Sequence, residues 1–156
     1  MDGVAIRDDW GTQEGLSVSP EMWREVFRPL HKEYCKILHA KDKFVFFHSH
    51  GDVSDLFGDL VKLGVDAIHV SAPLNKISRL VKRYRGRVTF LCEMERHQLQ
   101  NPGPLGEFRE AVLAIRKELD FGGGGVIARC PWEQGVRIQT AAAFFEQWLV
   151  PLSMRE

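Results

Sequence analysis

Two histidines and a cysteine are the residues of this sequence best suited to chemistry. His48 and His50 end the apolar run Phe44–Phe47, and Cys130 follows a second strand-like run, Gly125–Ala128. Because alternate residues of a strand lie on one face, the two histidines are predicted to point the same way at the carboxyl end of a strand. Two imidazoles and a thiol brought together there predict either a zinc site with His48, His50 and Cys130 as ligands or a polar catalytic cluster.

The carboxyl ends of all five predicted strands carry polar or ionisable groups. Active sites of barrels and open parallel sheets lie at this end of the strands, so we expect these residues to surround one site. The remaining members of the set are Asp8 and Asp9 after the first strand, His69 and Ser71 at the end of the third, and Glu93 and Glu95 at the end of the fourth.

The acidic members of this set have two interpretations each. We predict that Asp9 is catalytic and that Asp8 binds substrate, while a cap for the following segment is the alternative for either aspartate. Glu93 and Glu95 are predicted to supply general acid or base chemistry. The equally good alternative is a salt bridge to Arg96 or to a neighbouring arginine.

The other polar members are also open to a purely structural role. His69 and Ser71 share a face if their strand alternates regularly, and we predict that both bind substrate. A fourth zinc ligand from His69 and a simple hydrogen-bonded role are the alternatives. His48 and His50 can likewise be two hydrogen-bonded residues at a barrel mouth, and Cys130 can be a small buried apolar side chain.

Composition and charge exclude several classes of protein. The chain has 156 residues with 21 basic and 21 acidic side chains, so its net charge of zero argues against a nucleic-acid or acidic-membrane partner. No apolar stretch approaches the roughly 20 residues that span a bilayer. Three widely spaced cysteines do not form a disulfide framework, and the amino terminus lacks signal-peptide features. We therefore expect a cytoplasmic protein with a small-molecule substrate.

The order of elements predicts an α/β fold. Five short apolar runs each precede an amphipathic stretch, which indicates parallel strands joined by right-handed helical crossovers in a single domain, residues 1–156. Both an open doubly wound sheet and part of a (β/α)₈ barrel fit this pattern. Pro29 falls within the first helical stripe and predicts a kink or a split helix. His31, His39 and His97 are expected to be solvated.

The order of several segments resembles the carboxyl-terminal half of the uroporphyrinogen decarboxylase superfamily. The segments that carry the resemblance are Asp8–Gln13, Ser19–Trp23, Phe46–Gly51, Leu63–Ala67 and Gly123–Cys130. The superfamily contains decarboxylases and zinc-dependent methyltransferases that move a methyl group from a corrinoid to coenzyme M. The resemblance implies a partial (β/α)₈ TIM-type barrel of about five strands, each followed by a helix.

The resemblance also implies a zinc site and a methylcorrinoid as methyl donor. The methyltransferase ligands are similar to His48 and Cys130, and His50 stands where those enzymes have a cysteine. The decarboxylases have a histidine near the position of Cys130, which favours the methyltransferase alternative. The acidic segment Cys92–Glu95 matches a family segment that is less bulky at its first residue.

Three functions remain open at this point. The first is a methyltransferase-like enzyme in which zinc activates a substrate thiol. The second is a metal-free decarboxylase acting on a tetrapyrrole or a related carboxylated substrate. The third is a non-catalytic half-barrel subunit or fragment. A half barrel leaves strand edges and an apolar interior open, so we expect either a homo-oligomer or a missing amino-terminal half-barrel partner.

Overall fold

Five parallel strands form one sheet in this computed structural model, which describes residues 1–12, 14–94 and 96–152. Their order in the sheet is the order in the chain, β1-β2-β3-β4-β5. A doubly wound sheet reverses its strand order at a switch point, so the sequential order identifies a partial TIM-type barrel and confirms the predicted fold class. The strands are β1 (Gly3–Arg7), β2 (Phe44–His48), β3 (Ala67–Val70), β4 (Thr89–Glu93) and β5 (Val126–Arg129).

Helices follow every strand. One of them, the short α5, was not predicted, because five residues are too few to show a helical stripe. No helix in the described ranges is long and apolar enough to cross a membrane. The helices are α1 (Pro20–Met22), a π-helical segment (Trp23–Phe27), α2 (Arg28–His39), α3 (Ser54–Leu63), α4 (Leu74–Tyr84), α5 (Arg96–Gln100), α6 (Leu105–Leu119) and α7 (Ile138–Leu149).

The helical stretch after β1 is split as its proline predicts. The side chain of Ser19 caps the start by accepting the Met22 N–H at 3.1 Å. Pro29 has no N–H for the helical ladder, and the turn before it is wound as a π-helix, with the Arg28 N–H donating to the Trp23 carbonyl.

Alternation along the strands separates an outer face from an inner one. On the outer face, Val45, Phe47 and Ile68 are completely buried against the helices. The register pairs Arg7 of β1 with His48 of β2, so these two side chains share the inner face, which corresponds to the interior of a barrel. The polar strand ends therefore meet at one end of a half-open interior.

Candidate active site at the strand ends

Three side chains from neighbouring strands converge at the carboxyl end of the inner face. His48 ends β2, His69 lies in β3 and Glu93 ends β4. One ligand atom from each side chain lies within 4.8 Å of the other two, which is close enough for one metal ion to bind all three. We refer to these residues as the strand-end triad.

His48 is a buried member of the triad whose ring nitrogens are unsatisfied. It is 3% exposed, and neither of its ring nitrogens has a hydrogen-bond partner in the part of the chain that the structure describes. Burial, with a smaller contribution in the same direction from the nearby His69 and His50 rings, lowers the pKa of His48 to about 4. The imidazole is therefore neutral at physiological pH and keeps a lone pair for a ligand.

His69 is held in one tautomer by the backbone. Its Nδ1 donates to the Ser49 carbonyl at 2.8 Å, since a carbonyl can only accept. The proton on Nδ1 leaves the lone pair on Nε2, the arrangement common in metal-binding histidines. The His69 ring stacks on the His48 ring with 4.4 Å between centroids. His69 was predicted to bind substrate, and the triad instead favours the alternative of a metal ligand.

Glu93 forms a salt bridge with a neighbouring arginine, which was the alternative to the predicted acid or base role. Its carboxylate pairs with Arg129, the residue opposite it in the register between β4 and β5. Arg7 lies at the corresponding end of β1, is exposed, and has no ion pair among the described residues. Neither arginine was identified from the sequence, although each occupies the same strand-end position as the histidines and acids.

His50 and Asp9 form a pair beside the triad. The backbone N–H and the ring Nδ1 of His50 donate to Asp9 Oδ1 at 3.0 and 2.9 Å, and these two bonds lower the pKa of Asp9. The His50 ring lies 4.9 Å from the His48 ring, so the two histidines are neighbours as their spacing predicts. His50 nevertheless binds a carboxylate rather than joining the triad.

Asp8 contacts a histidine of α2 and not the triad. Its Oδ2 is 3.0 Å from His31 Nε2, and the Nδ1 of the same ring donates to the Phe27 carbonyl. His31 is 2% exposed, so the expectation of a solvated side chain was wrong. This contact ties the end of β1 to α2, while the predicted role of Asp8 in substrate binding stays a prediction.

Cys130 packs with the helices. It contacts the apolar cluster that contains Met94 and Phe108, and burial together with the nearby Glu93 raises the pKa of its thiol. Successive side chains of a strand lie on opposite faces, so Cys130 lies on the outer face because Arg129 lies on the inner one. The structure therefore does not bring Cys130 together with the triad. The predicted catalytic residue Glu95 lies outside the described residues.

Two clefts adjoin the triad and provide room for a small molecule. The larger, of about 510 Å³, is lined by residues that include Gly11, His50, Ser71 and Glu93. The smaller, of about 180 Å³, is lined by residues that include Arg7, His50, His69 and Glu93. Ser71 lines the larger cleft and His69 the smaller one, and the predicted role of both in substrate binding stays a prediction.

Comparison with known proteins supports the fold. No protein-family model and no curated protein matches the sequence. Among solved structures, the chain is similar to a methyltransferase from Methanosarcina mazei with a TM-score of 0.67 and 15% identity. The likeness covers 94% of this chain but 41% of that methyltransferase, so the chain spans less than half its length. At this identity the likeness shows the α/β fold alone.

Proposed function

We propose that the strand-end triad binds zinc and that the bound zinc activates a small-molecule thiol to accept a methyl group. The observation that carries this proposal is the burial of His48 with two unpartnered ring nitrogens beside His69 and Glu93. An unsatisfied buried polar group costs about 1–3 kcal/mol, and a metal ion would remove that cost.

The donor set fits a catalytic zinc ion. Two histidines and one glutamate are a known ligand set of catalytic zinc sites, and three protein ligands would leave a coordination position open for a substrate. Zinc bound there would lower the pKa of a substrate thiol and hold it as thiolate. This set shares His48 with the ligands expected from the sequence and replaces His50 and Cys130 with His69 and Glu93.

The neighbouring residues have distinct roles in this proposal. Ser49 holds the His69 tautomer, and Arg129 orients the Glu93 carboxylate. His50 lines both clefts and has its Nδ1 bound to Asp9, so its Nε2 accepts the proton released by the thiol. A methylcorrinoid would supply the methyl group: its carbon–cobalt bond would break as the thiolate sulfur bonds to the methyl carbon, and the electron pair of the broken bond would stay with the cobalt.

Zinc titration of the metal-free protein tests the ligand set. We expect one zinc ion per chain, with binding weakened at least tenfold in His48→Ala, His69→Ala and Glu93→Gln. His50→Ala and Cys130→Ser should retain zinc, whereas a site built from His48, His50 and Cys130 would lose it in both. His39→Ala, at the opposite end of the strands, is the matched control. A wild-type chain that takes up no zinc contradicts the proposal.

Cobalt(II) substitution tests the reaction. A nitrogen and oxygen ligand set gives no thiolate-to-metal charge-transfer band, and adding 2-mercaptoethanol should produce one as its sulfur binds. Incubation with methylcobalamin and the same thiol should then yield the methyl thioether. Absence of the band at saturating thiol would contradict thiol activation even if zinc binds.

Metal-free decarboxylation is the second candidate, and Arg7 is the observation that favours it. This exposed guanidinium lines the smaller cleft beside His48 and has no ion pair among the described residues, so it suits a substrate carboxylate. Carbon dioxide release from uroporphyrinogen in the presence of a chelator, lost in Asp9→Ala, would support it. Neither activity in any assay would favour a non-catalytic half barrel.

A further inference from the structure

The segment that contains α4 carries a large share of the positive charge of the chain. Between Asp66 and Glu93 the sequence has six basic side chains and no acidic one, although the net charge of the whole chain is zero. The expectation that nucleic acid is not a partner was based on that net charge, which says nothing of how the charges are distributed. The basic residues of the segment are Lys76, Arg79, Lys82, Arg83, Arg85 and Arg87.

Five of these six cations form an exposed basic patch. Lys76 is paired with Asp52, whereas the other five are exposed and form no ion pair in the part of the chain that the structure describes. Their charges are therefore available to an anionic partner. We refer to Arg79, Lys82, Arg83, Arg85 and Arg87 as the α4 patch.

The α4 patch is continuous along the helix and the loop that follows it. Arg79 lies three and four residues before Lys82 and Arg83, so these side chains are neighbours on the helix surface. The guanidinium groups of Arg83 and Arg87 both lie over the Tyr84 ring, at 5.3 and 5.7 Å from its centroid. Like charges at these spacings repel each other, and a polyanion bound along the patch would relieve that repulsion.

An aromatic cleft adjoins the patch at the amino-terminal ends of β4 and β5. The Cζ atom of Arg85 lies 5.2 Å from the centroid of the Phe121 ring, and Phe121 is 49% exposed. Both side chains line a cleft of about 350 Å³ between the loop before β4 and the loop before β5. Glycines 123–125 form part of its wall, so a flat ring can approach the backbone there without meeting side chains.

We infer that the α4 patch and this cleft bind a single strand of nucleic acid. Arginine forms bidentate hydrogen bonds with phosphate, and four of the five patch residues are arginines. An exposed aromatic ring beside an arginine is a platform on which an unpaired base stacks, as Phe121 beside Arg85 offers. The patch shares no residue with the strand-end triad, and the cleft lies at the opposite end of the strands. This inference and the zinc proposal therefore fail separately.

The same features favour a single strand over other polyanions. The apolar side chains Ile77, Val81 and Tyr84 of α4 are buried, so the main apolar face of this helix cannot insert into a membrane. A duplex supplies phosphates for the arginines, but its bases are stacked on each other and leave Phe121 without a partner. A single strand supplies both phosphates and free base faces.

Fluorescence anisotropy of a labelled oligouridine of about 12 nucleotides, a length within the range that single-strand binding sites cover, tests the inference. With five phosphate contacts, the affinity of the wild-type chain should fall about 100-fold between roughly 50 and 200 mM salt. Arg79→Gln combined with Arg83→Gln should weaken binding at least about tenfold at the lower salt concentration and reduce that fall to about 20-fold. Lys32→Gln combined with Lys41→Gln removes as much charge from exposed positions outside the patch and should change neither value.

Phe121→Ala tests base stacking. This substitution should weaken binding of the oligouridine about fivefold or more, and Phe121→Trp should preserve it. Binding of a duplex of the same length should be weaker and insensitive to Phe121→Ala. Circular dichroism verifies that each variant folds.

Three results would overturn the inference. They are absence of oligouridine binding at the lower salt concentration, binding that Arg79→Gln with Arg83→Gln does not weaken, and a duplex that binds as tightly as the single strand. Binding to phosphatidylserine vesicles in place of the oligouridine would assign the α4 patch to an acidic membrane surface instead.

Discussion

At the scale of single residues, the site is defined by which polar atoms are satisfied. Asp9 and His50 satisfy each other, Asp8 is paired with His31, and His69 donates to a backbone carbonyl. His48 is the exception, since its two nitrogens are buried with no hydrogen-bond partner in the described part of the chain. The chemistry proposed for this protein therefore depends most on His48.

The lowered pKa of His48 predicts how stability depends on pH. Its folded pKa of about 4 lies below the ordinary value of 6.5, so the folded state binds fewer protons between these values. The contribution to stability is complete above pH 6.5 and is lost as the pH falls toward 4. The metal-free wild type should lose up to about 3 kcal/mol more than His48→Gln over this range.

Urea denaturation in the presence of a chelator measures this difference. The stability of the wild type relative to His48→Gln should fall as the pH is lowered from 7 to 4. Curves that stay parallel from pH 7 to pH 4 would show that His48 titrates normally in the folded state.

At the scale of elements, the loops after β1 and β2 are locked together. The Ser49 hydroxyl accepts the N–H groups of Trp10 and Gly11 at 3.1 and 3.2 Å and donates to the His50 carbonyl. Gly11 and Gly51 pack backbone against backbone, and Gly51 has a φ of +68° that favours glycine. This contact fixes where His50 and the carbonyl that orients His69 lie.

Gly11→Ala is expected to disrupt this lock. The added Cβ would lie 2.5 Å from the His50 carbonyl oxygen and 2.6 Å from the Gly51 carbonyl carbon, so backbone must move. We expect a loss of about 1–3 kcal/mol in the free energy of unfolding. Gly106→Ala, which meets no atom within 4 Å in α6, is the control and should be neutral or stabilising. Equal effects of the two substitutions would contradict the claim that the close contact between Gly11 and Gly51 stabilises the fold.

At the scale of the whole molecule, the fold is a half-open barrel whose site draws on three adjacent strands. The triad joins β2, β3 and β4, so a metal bound there would cross-link the centre of the sheet. The open sides lie at the outer strands, away from the triad.

Zinc is expected to stabilise the whole domain by mass action. At a free zinc concentration 100 times the dissociation constant, the free energy of unfolding should rise by about 2.7 kcal/mol. Glu93→Gln should lose most of this gain, while His39→Ala should keep it. Thermal or urea denaturation with and without zinc measures the gain, and equal stabilisation of both variants would indicate binding elsewhere.

Local patterns in the sequence determined the elements and the end of the sheet at which polar groups collect. Alternation identified His48 as a strand-end residue, and helical periodicity with Pro29 identified the split helix. These features depend on residues close together in the chain, which is why they can be predicted. The same local patterns placed Asp8 and Asp9 after the first strand and Glu93 at the end of the fourth.

Only the tertiary structure decided which of these residues meet. The register between β3 and β4 aligns His69 with Leu91 on the inner face, and His69 then stacks on His48. Cys130 packs on the helix side of the sheet. The register pairs Arg129 with Glu93 on the inner face, so the next residue, Cys130, lies on the outer face. Such contacts join residues far apart in sequence, and a shift of one residue in register would reverse every face. The sequence alone therefore supplied the candidate residues, and strand register selected the triad from among them.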